Sequence, residues 1–252
     1  MLDIVDHGRV RELRLARPPV NALGPEFVTT IDRAISDAPA AGAGAIVLSG
    51  APGRFSGGLD VPQWLALDRA QIRAAWAGFF ALMRTIAASP IPIAAALTGH
   101  SPAGGTVMAL FADFRVLADG PFVVGLNEVQ VGLPVPEFLL RALAYVVGAR
   151  QAERLAVPGL LIGPAEALRC GLVDEVAAVD AVVPRAIAWA NELLARPAIA
   201  MAETRRRARQ PLLAAFAALD AATLDAVTES WFSPEAQATL HALAARLSKP
   251  RR

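Results

Sequence analysis

The chain has 252 residues, 55% of them hydrophobic, and a formal net charge of +1. This balance suits a globular protein with a large core and argues against a general nucleic-acid-binding role. The single cysteine, Cys170, excludes an internal disulfide. No apolar run reaches the roughly 18 residues of a membrane span, and the N-terminus lacks the apolar stretch of a signal peptide. We therefore expect a cytoplasmic protein with no membrane or nucleic-acid partner.

Short apolar runs, alternating hydrophobicity and turn residues predict an α/β domain over residues 1–196. The predicted strands are Ile4–Val5, Val10–Leu15, Ala45–Leu48, Ile91–Leu97, Arg115–Ala118, Phe122–Gly125 and Leu172–Val176. The predicted helices are Pro25–Ala38, a broken helical region from Pro62 to Ala88, Gly104–Phe114, Phe138–Val147, Gln151–Ala156 and Pro164–Cys170. Repeated alternation of this kind fits a sheet core with helices packed outside it.

The pattern changes after Arg196-Pro197, and residues 197–252 read as a separate helical region. Its predicted helices are Ala198–Arg209, Leu212–Val227 and Pro234–Leu247. The run Arg205–Arg209 contains four arginines, and we interpret it as a solvated helix face.

Two loops rich in small residues are the first candidates for a binding site. One is GRFSGGLD, Gly53–Asp60, and the other is SPAGG, Ser101–Gly105. Small residues let a ligand approach the backbone closely, and Gly104 begins a predicted helix whose N-terminus favours a negative charge. Taken singly, each loop is equally well explained as a tight turn.

An isolated acid, Glu128, follows within the segment GLNEVQVGL, residues 125–133. Its neighbours are apolar and it lies between two glycines. Burial there would raise its pKa toward the range of a general base. The alternative is a solvated loop acid, or one paired with an arginine such as Arg141.

These segments together resemble the crotonase family, also called the enoyl-CoA hydratase/isomerase family. The likeness is strongest over residues 97–176 and is closest to the family's Δ3,Δ2-enoyl-CoA isomerases of mitochondrial type. The resemblance implies a crotonase-like spiral of ββα turns in residues 1–196. It also implies that residues 197–252 form a helical oligomerisation region, giving a homotrimer or a dimer of trimers.

The resemblance also implies the roles of individual residues. The backbone N–H groups of Leu59 and Gly104 would hold the oxygen of an acyl-CoA thioester, and Glu128 would be the catalytic residue. Val107 stands where the family's hydratases carry another glutamate, and it should face the same cleft, one turn after Gly104. Positions matched to substrate or coenzyme A binding are Pro19, Val20, Ala22, Ser56, Gly57, Gly58, Asp60, Gly105 and Val107.

The family's isomerases work with one glutamate at the Glu128 position, so the resemblance implies isomerisation of a 3-enoyl-CoA to a 2-enoyl-CoA in fatty-acid β-oxidation. Coenzyme A belongs to the substrate, so no further cofactor is expected, and the three histidines lack metal-ligand spacing. One alternative is a hydratase, if Asp60 or Glu137 reaches the place of Val107. Another is a member that binds acyl-CoA without turnover. The arginine run or the basic tail, Lys249–Arg252, could contact the coenzyme A phosphates.

A serine hydrolase is a further alternative, since Gly99–Ala103 nearly matches a nucleophile elbow. His241 and Asp174 would complete a triad with Ser101. In that fold the residue after the serine donates an oxyanion N–H. Pro102 has no N–H, so this alternative is disfavoured.

Overall fold

The computed structural model describes residues 1–247, which form strands and helices in alternation up to residue 194 and helices from there on. The strands are β1 (Leu2–His7), β2 (Val10–Leu15), β3 (Ala45–Ser49), β4 (Gly53–Arg54), β5 (Ile93–Leu97), β6 (Gly99–Pro102), β7 (Phe114–Ala118), β8 (Val124–Gly125) and β9 (Glu175–Ala177). The helices are α1 (Pro25–Asp37), α2 (Val61–Leu65), α3 (Arg69–Ala88), α4 (Gly104–Leu110), α5 (Glu137–Val147), α6 (Ala149–Ala156), α7 (Pro164–Arg169), α8 (Val182–Leu194), α9 (Ala198–Ala208), α10 (Gln210–Ala214), α11 (Ala221–Trp231) and α12 (Pro234–Leu247). Two 3₁₀ turns span Glu128–Val131 and Ala215–Ala218.

The strands form two sheets that the chain visits in turn. The larger sheet has the order β1-β2-β3-β5-β7-β9, and the smaller has the order β4-β6-β8. All neighbours are parallel except the β1–β2 hairpin. The turns that begin at β3, β5 and β7 each place one strand in the large sheet, the next in the small sheet, and then a helix. This repeat is the expected ββα spiral.

The central strands of the large sheet are buried on both faces, as strands of parallel sheets usually are. Strands β3, β5 and β7 are buried along their whole length. Helix α8 covers one face with Val182, Ala186 and Ala190, which lie four residues apart on one side of the helix. The sequence pattern did not predict α8, because its first turn, Val182-Val183-Pro184, favours extended backbone.

The small sheet corrects the sequence reading of the glycine-rich segments. Gly99–Pro102 is a strand rather than a loop, and the predicted strand Phe122–Gly125 shrinks to its last two residues. The predicted helix Gly104–Phe114 ends at Leu110. Strands β4 and β6 approach so closely that a Cβ placed on Gly99 would lie 1.9 Å from the carbonyl carbon of Gly53. Only glycine allows this pairing.

The described part of the C-terminal region folds back over the core. Helix α11 packs on α3, and α12 packs on α2 and on the turn that begins at Glu128. The predicted helix Leu212–Val227 is interrupted, because the Asp220 carboxylate accepts a hydrogen bond from the Thr223 N–H at 2.8 Å and starts α11 there. Within residues 1–247 no single helix is long and apolar enough to cross a membrane. The segments Gln210–Ala218 and Ala221–Trp231 reach that length and hydropathy only when they are taken together, and the chain bends by 69° between them.

The arginine run has two environments, so its interpretation as a solvated face is wrong for Arg205 and Arg209. Arg209 is 6% exposed and donates to the carbonyls of Ala87 and Phe111, at 3.1 and 2.5 Å. Both arginines also bind Asp113, at 2.8 and 2.9 Å. They tie α9 to the ends of α3 and α4. The exposed Arg206 and Arg207 pair instead with Glu203.

Candidate active site

A cavity of about 270 Å³ lies between the small-residue loops, α3, the turn at Glu128 and the C-terminal helices. Its walls are mostly aliphatic and aromatic side chains, and among the described lining residues Glu128 is the only carboxylic acid. Four sequence-predicted site residues line it: Gly57, Leu59, Gly104 and Glu128. The structure therefore brings the predicted oxyanion donors and the predicted base to one space.

The loop that carries Leu59 is held by its own small residues. Ser56 Oγ donates to the Asn21 carbonyl at 2.9 Å and accepts from the Gly58 N–H at 3.2 Å. The Gly57 N–H donates to the Val20 carbonyl at 2.7 Å. The N–H of Leu59 donates to no other described residue, so it is free to meet a ligand in the cavity.

Asn21 supports this loop, and the sequence reasoning missed it. Asn21 is 4% exposed and has a φ of 52°. Its amide donates to the Phe55 carbonyl at 2.9 Å and accepts from the Arg17 N–H at 2.8 Å. Asparagine tolerates this left-handed conformation. An asparagine after two prolines was the available signal for a turn at this position.

The second loop places Gly104 at the cavity. Ala103 has a φ of 47° and a ψ of −120°, an uncommon backbone conformation that a folded environment must hold in place. Its N–H donates to the Gly125 carbonyl at 2.8 Å. Thr106 Oγ1 accepts from the Gly125 N–H at 2.8 Å and donates to the Ser101 carbonyl at 2.5 Å. The Gly104 N–H, at the first position of α4, is left without a partner among the described residues.

The two loops are in direct contact. A Cβ placed on Gly104 would lie 3.5 Å from the Gly58 Cα and 3.5 Å from Cζ of Phe79. The loops that carry the free N–H groups of Leu59 and Gly104 are therefore neighbours, and both residues line the same cavity.

Glu128 is the first residue of a 3₁₀ turn at the cavity wall. Burial raises the pKa of its carboxyl group to about 7, because the charged form loses solvation. Its Oε2 atom is buried and has no hydrogen-bond partner in the described part of the chain. Arg141 pairs with Glu137 instead, so the alternative of a Glu128–Arg141 pair is wrong.

The turn at Glu128 is fixed by α12. Thr239 Oγ1 donates to the Val131 carbonyl at 2.7 Å. Gly132 has a φ of 76°, and a Cβ there would lie 2.9 Å from the Cα of Ala236. The C-terminal region therefore helps to position Glu128, the candidate catalytic residue. The sequence of the C-terminal region did not reveal this role.

Val107 requires a correction. It is 1% exposed and packs in the hydrophobic core, outside the lining of the cavity. Gly104 lines the cavity and the rest of α4 does not, so the position one turn after Gly104 meets protein rather than the cleft.

The other predicted positions surround the first loop without lining the cavity. Asp60 accepts from Arg17 at 2.6 Å and caps α2, and Gly105 packs against Ser101. The carbonyls of Pro19, Val20 and Ala22 accept hydrogen bonds from the described residues. Contact of these positions with coenzyme A stays a prediction.

The serine-hydrolase arrangement does not form. Ser101 is fully buried in β6, and its hydroxyl has no described partner. Asp174 pairs with Arg115 at 3.0 Å, and His241 is an exposed residue of α12. In residues 1–247 no group of three or more His, Cys, Asp or Glu side chains could hold a metal ion.

Sequence comparison agrees with this geometry. The family profile described as "Enoyl-CoA hydratase/isomerase" matches residues 6–236. The human enoyl-CoA delta isomerase 1, mitochondrial, is 35% identical over 191 residues, which are 75% of this chain and 63% of the human protein. The match thus spans less than two thirds of that relative. A probable enoyl-CoA hydratase, echA17 of Mycobacterium avium (strain 104), is 33% identical over 77% of this chain and 75% of its own length.

Solved structures give the same result over nearly the whole chain. The crystal structure of human mitochondrial delta3-delta2-enoyl-CoA isomerase has a TM-score of 0.92 at 30% identity, covering 98% of this chain and 97% of that one. Enoyl-CoA hydratase EchA3 from Mycobacterium ulcerans Agy99 has a TM-score of 0.82 at 26% identity, covering 91% and 99%. With the ββα spiral and the matched profile, these findings show that the chain belongs to the enoyl-CoA hydratase/isomerase family.

Proposed function

We propose that the protein is a Δ3,Δ2-enoyl-CoA isomerase, which moves a double bond from C3 to C2 of a 3-enoyl-CoA. The observation that carries the proposal is a single carboxyl group, that of Glu128, whose Oε2 atom is buried without a partner among the described residues, in a cavity that Leu59 and Gly104 also line. Moving a double bond by one position needs one proton to leave C2 and one to reach C4. One base can do both.

In the proposed reaction the thioester oxygen accepts hydrogen bonds from the N–H groups of Leu59 and Gly104. The Glu128 carboxylate removes a proton from C2, and the electrons of that C–H bond pass to the carbonyl oxygen as a dienolate. The two N–H groups stabilise the negative charge as it forms. Protonated Glu128 then donates to C4, the double bond forms between C2 and C3, and the free carboxylate is restored. The step needs no redox partner or metal.

A hydratase is the second candidate, because hydratase-named relatives match at similar identity. Addition of water across a double bond is easier when a second acid helps to hold the water. Asp60 is paired with Arg17, and Glu137 is exposed and paired with Arg141. Neither lines the cavity. This arrangement supports the isomerase over the hydratase.

The relatives also suggest the setting of the reaction. An isomerase of this type serves β-oxidation of unsaturated fatty acids, and we propose that role here, with acyl-CoA as the sole partner molecule. We further propose a homotrimer or a dimer of trimers.

The proposal is tested by following two reactions on matched substrates. Purified protein is given a 3-enoyl-CoA and the 2-enoyl-CoA of the same chain length, and the products are separated by chromatography. We expect isomerisation to be the faster reaction by a wide margin. Faster hydration would identify a hydratase, and binding of both without turnover would identify a non-catalytic acyl-CoA-binding protein.

A further inference from the structure

We propose that the indole of Trp231, supported by Trp76, limits the acyl chain of the substrate to about ten carbons. The inference rests on the proposed function, since it concerns the acyl part of the same ligand. Chain length cannot be read from the residue pattern, and the limit follows from the shape of the cavity.

The first observation is the direction of the cavity along α3. Phe79 lies beside Gly104, within 3.5 Å of a Cβ built there. Trp76 stands almost one helical turn earlier on α3, which is about 5 Å along the axis, and it also lines the cavity. An acyl chain that leaves the oxyanion loops past Phe79 therefore meets Trp76 next.

The second observation is the wall at this position. The Trp231 ring centroid is 6.0 Å from that of Trp76, and both residues line the cavity. Behind them Trp64 is fully buried, with its ring 4.8 Å from Trp76 and 5.7 Å from Trp231. The indole N–H of Trp64 donates to the Leu23 carbonyl at 2.9 Å. Trp231 is itself 1% exposed. The chain cannot pass this three-tryptophan cluster without displacing a packed ring.

The third observation is the volume. At the packing density of protein interiors a methylene group occupies roughly 25 Å³, so a cavity of about 270 Å³ holds on the order of ten carbons. The cavity is lined by apolar side chains of α12, including Leu240 and Leu243. Each methylene buried against such a wall should tighten binding roughly fourfold. The gain should stop when the cavity is full.

The test measures affinity and turnover separately against chain length. Saturated acyl-CoAs with four to sixteen carbons are titrated by calorimetry, and 3-enoyl-CoAs of the same lengths are assayed for isomerisation. For the unaltered protein we expect affinity to rise steeply up to about ten carbons and then to level off or fall. The ratio kcat/KM should follow the same profile.

Trp231→Leu removes the indole ring while keeping an apolar side chain. The break, which is the chain length at which affinity and kcat/KM stop rising, should move to longer chains by several carbons. Trp231→Phe should produce a smaller move in the same direction. The matched control is Phe216→Leu, because Phe216 is a buried aromatic residue of the C-terminal region that packs on Phe111 and Phe138, at 5.2 and 5.5 Å, outside the cavity lining. This variant should leave the position of the break unchanged.

Two results would overturn the inference. One is affinity in the unaltered protein that rises without a break to sixteen carbons, which would mean that the tail leaves the cavity beside the exposed Leu247. The other is an unchanged break in a folded Trp231→Leu or Trp231→Phe protein. Absence of isomerisation at every chain length would reject only the proposed function. The break in the affinity profile would still show that the three-tryptophan cluster limits the acyl chain.

Discussion

Gly58 and Gly104 approach so closely that a Cβ placed on Gly58 would lie 3.4 Å from the backbone nitrogen of Gly104. That nitrogen carries one of the two proposed oxyanion donors, and the other belongs to Leu59, the residue after Gly58. The site therefore depends on backbone positions that only a small residue permits. Gly58 also has a φ of +82°, which glycine adopts without steric cost.

Gly58→Ala should damage catalysis more than folding. The added methyl group would press on Cβ of Ala103 and on the Pro102 carbonyl oxygen, at 3.2 and 3.3 Å, and so should push away the loop that carries the Gly104 donor. Loss of one such donor typically lowers kcat by roughly 10²–10³-fold. The matched control is Gly53→Ala, where φ is +83° but the nearest atom to the new Cβ is 3.9 Å away. Both variants should lose similar stability in denaturant titrations. Equal kcat values for the two variants would contradict this account of the oxyanion donors.

The pH dependence of isomerisation should report the environment of Glu128. Burial raises the pKa of its carboxyl group to about 7, and the base must be ionised to remove a proton. The ratio kcat/KM should therefore rise as pH increases from 5, reach half its maximum near pH 7 and level off above it. An inflection near pH 4.5 would show instead that the carboxyl group is solvated in the working enzyme.

Arg209→Met should destabilise the fold. Arg209 is buried against Asp113 and the carbonyls of Ala87 and Phe111. The substitution would leave the two carbonyls without this donor, while Asp113 keeps its pair with Arg205. A buried acceptor left without a partner costs about 1–3 kcal/mol in the free energy of unfolding. Arg206→Met changes an exposed arginine of the same run and should cause no measurable change. Equal losses in urea titrations would show that the two arginines are equivalent after all.

Oligomerisation should involve α9. No residue of α9 is buried, Ile199 is 88% exposed, and a groove beside it is lined by Trp189, Leu193 and Met201. Exposed apolar surface of this kind marks protein contacts. Light scattering at micromolar concentration should give a trimer or a hexamer, and Ile199→Glu should shift the population toward smaller species. A monomer in the unaltered protein would contradict the proposal.

The site could be read from the sequence largely because its parts are local. The loop of Leu59, the loop of Gly104 and the segment around Glu128 each carry their glycines and small residues within a few positions. The family resemblance implied that these segments converge, and in the fold all three line one cavity. Spacing alone placed Val107 at the cleft, whereas in the fold Gly104 lines the cavity and Val107 packs in the core.

The features that the sequence did not reveal depend on distant partners. Arg209 looked like its exposed neighbour Arg206, since nothing local distinguishes a guanidinium that will meet Asp113, 96 residues earlier. Likewise, Trp231 and Thr239 lie in the C-terminal helices, outside the stretch of strongest resemblance. Trp231 nevertheless forms part of the cavity wall, and Thr239 holds the turn at Glu128. Periodicity assigns a face to a helix but does not identify what that face will cover.

The central claim is that Glu128 alone carries the proton, and Glu128→Gln tests it most directly. Glutamine keeps the size of the side chain but cannot accept the proton at neutral pH. Isomerase turnover and acyl-CoA affinity should be measured side by side on the same preparation. The account predicts that turnover falls by roughly 10²–10⁴-fold while affinity changes little, because the N–H groups of Leu59 and Gly104 and the apolar wall remain. Near-normal turnover in Glu128→Gln would contradict it and would mean that another residue moves the proton.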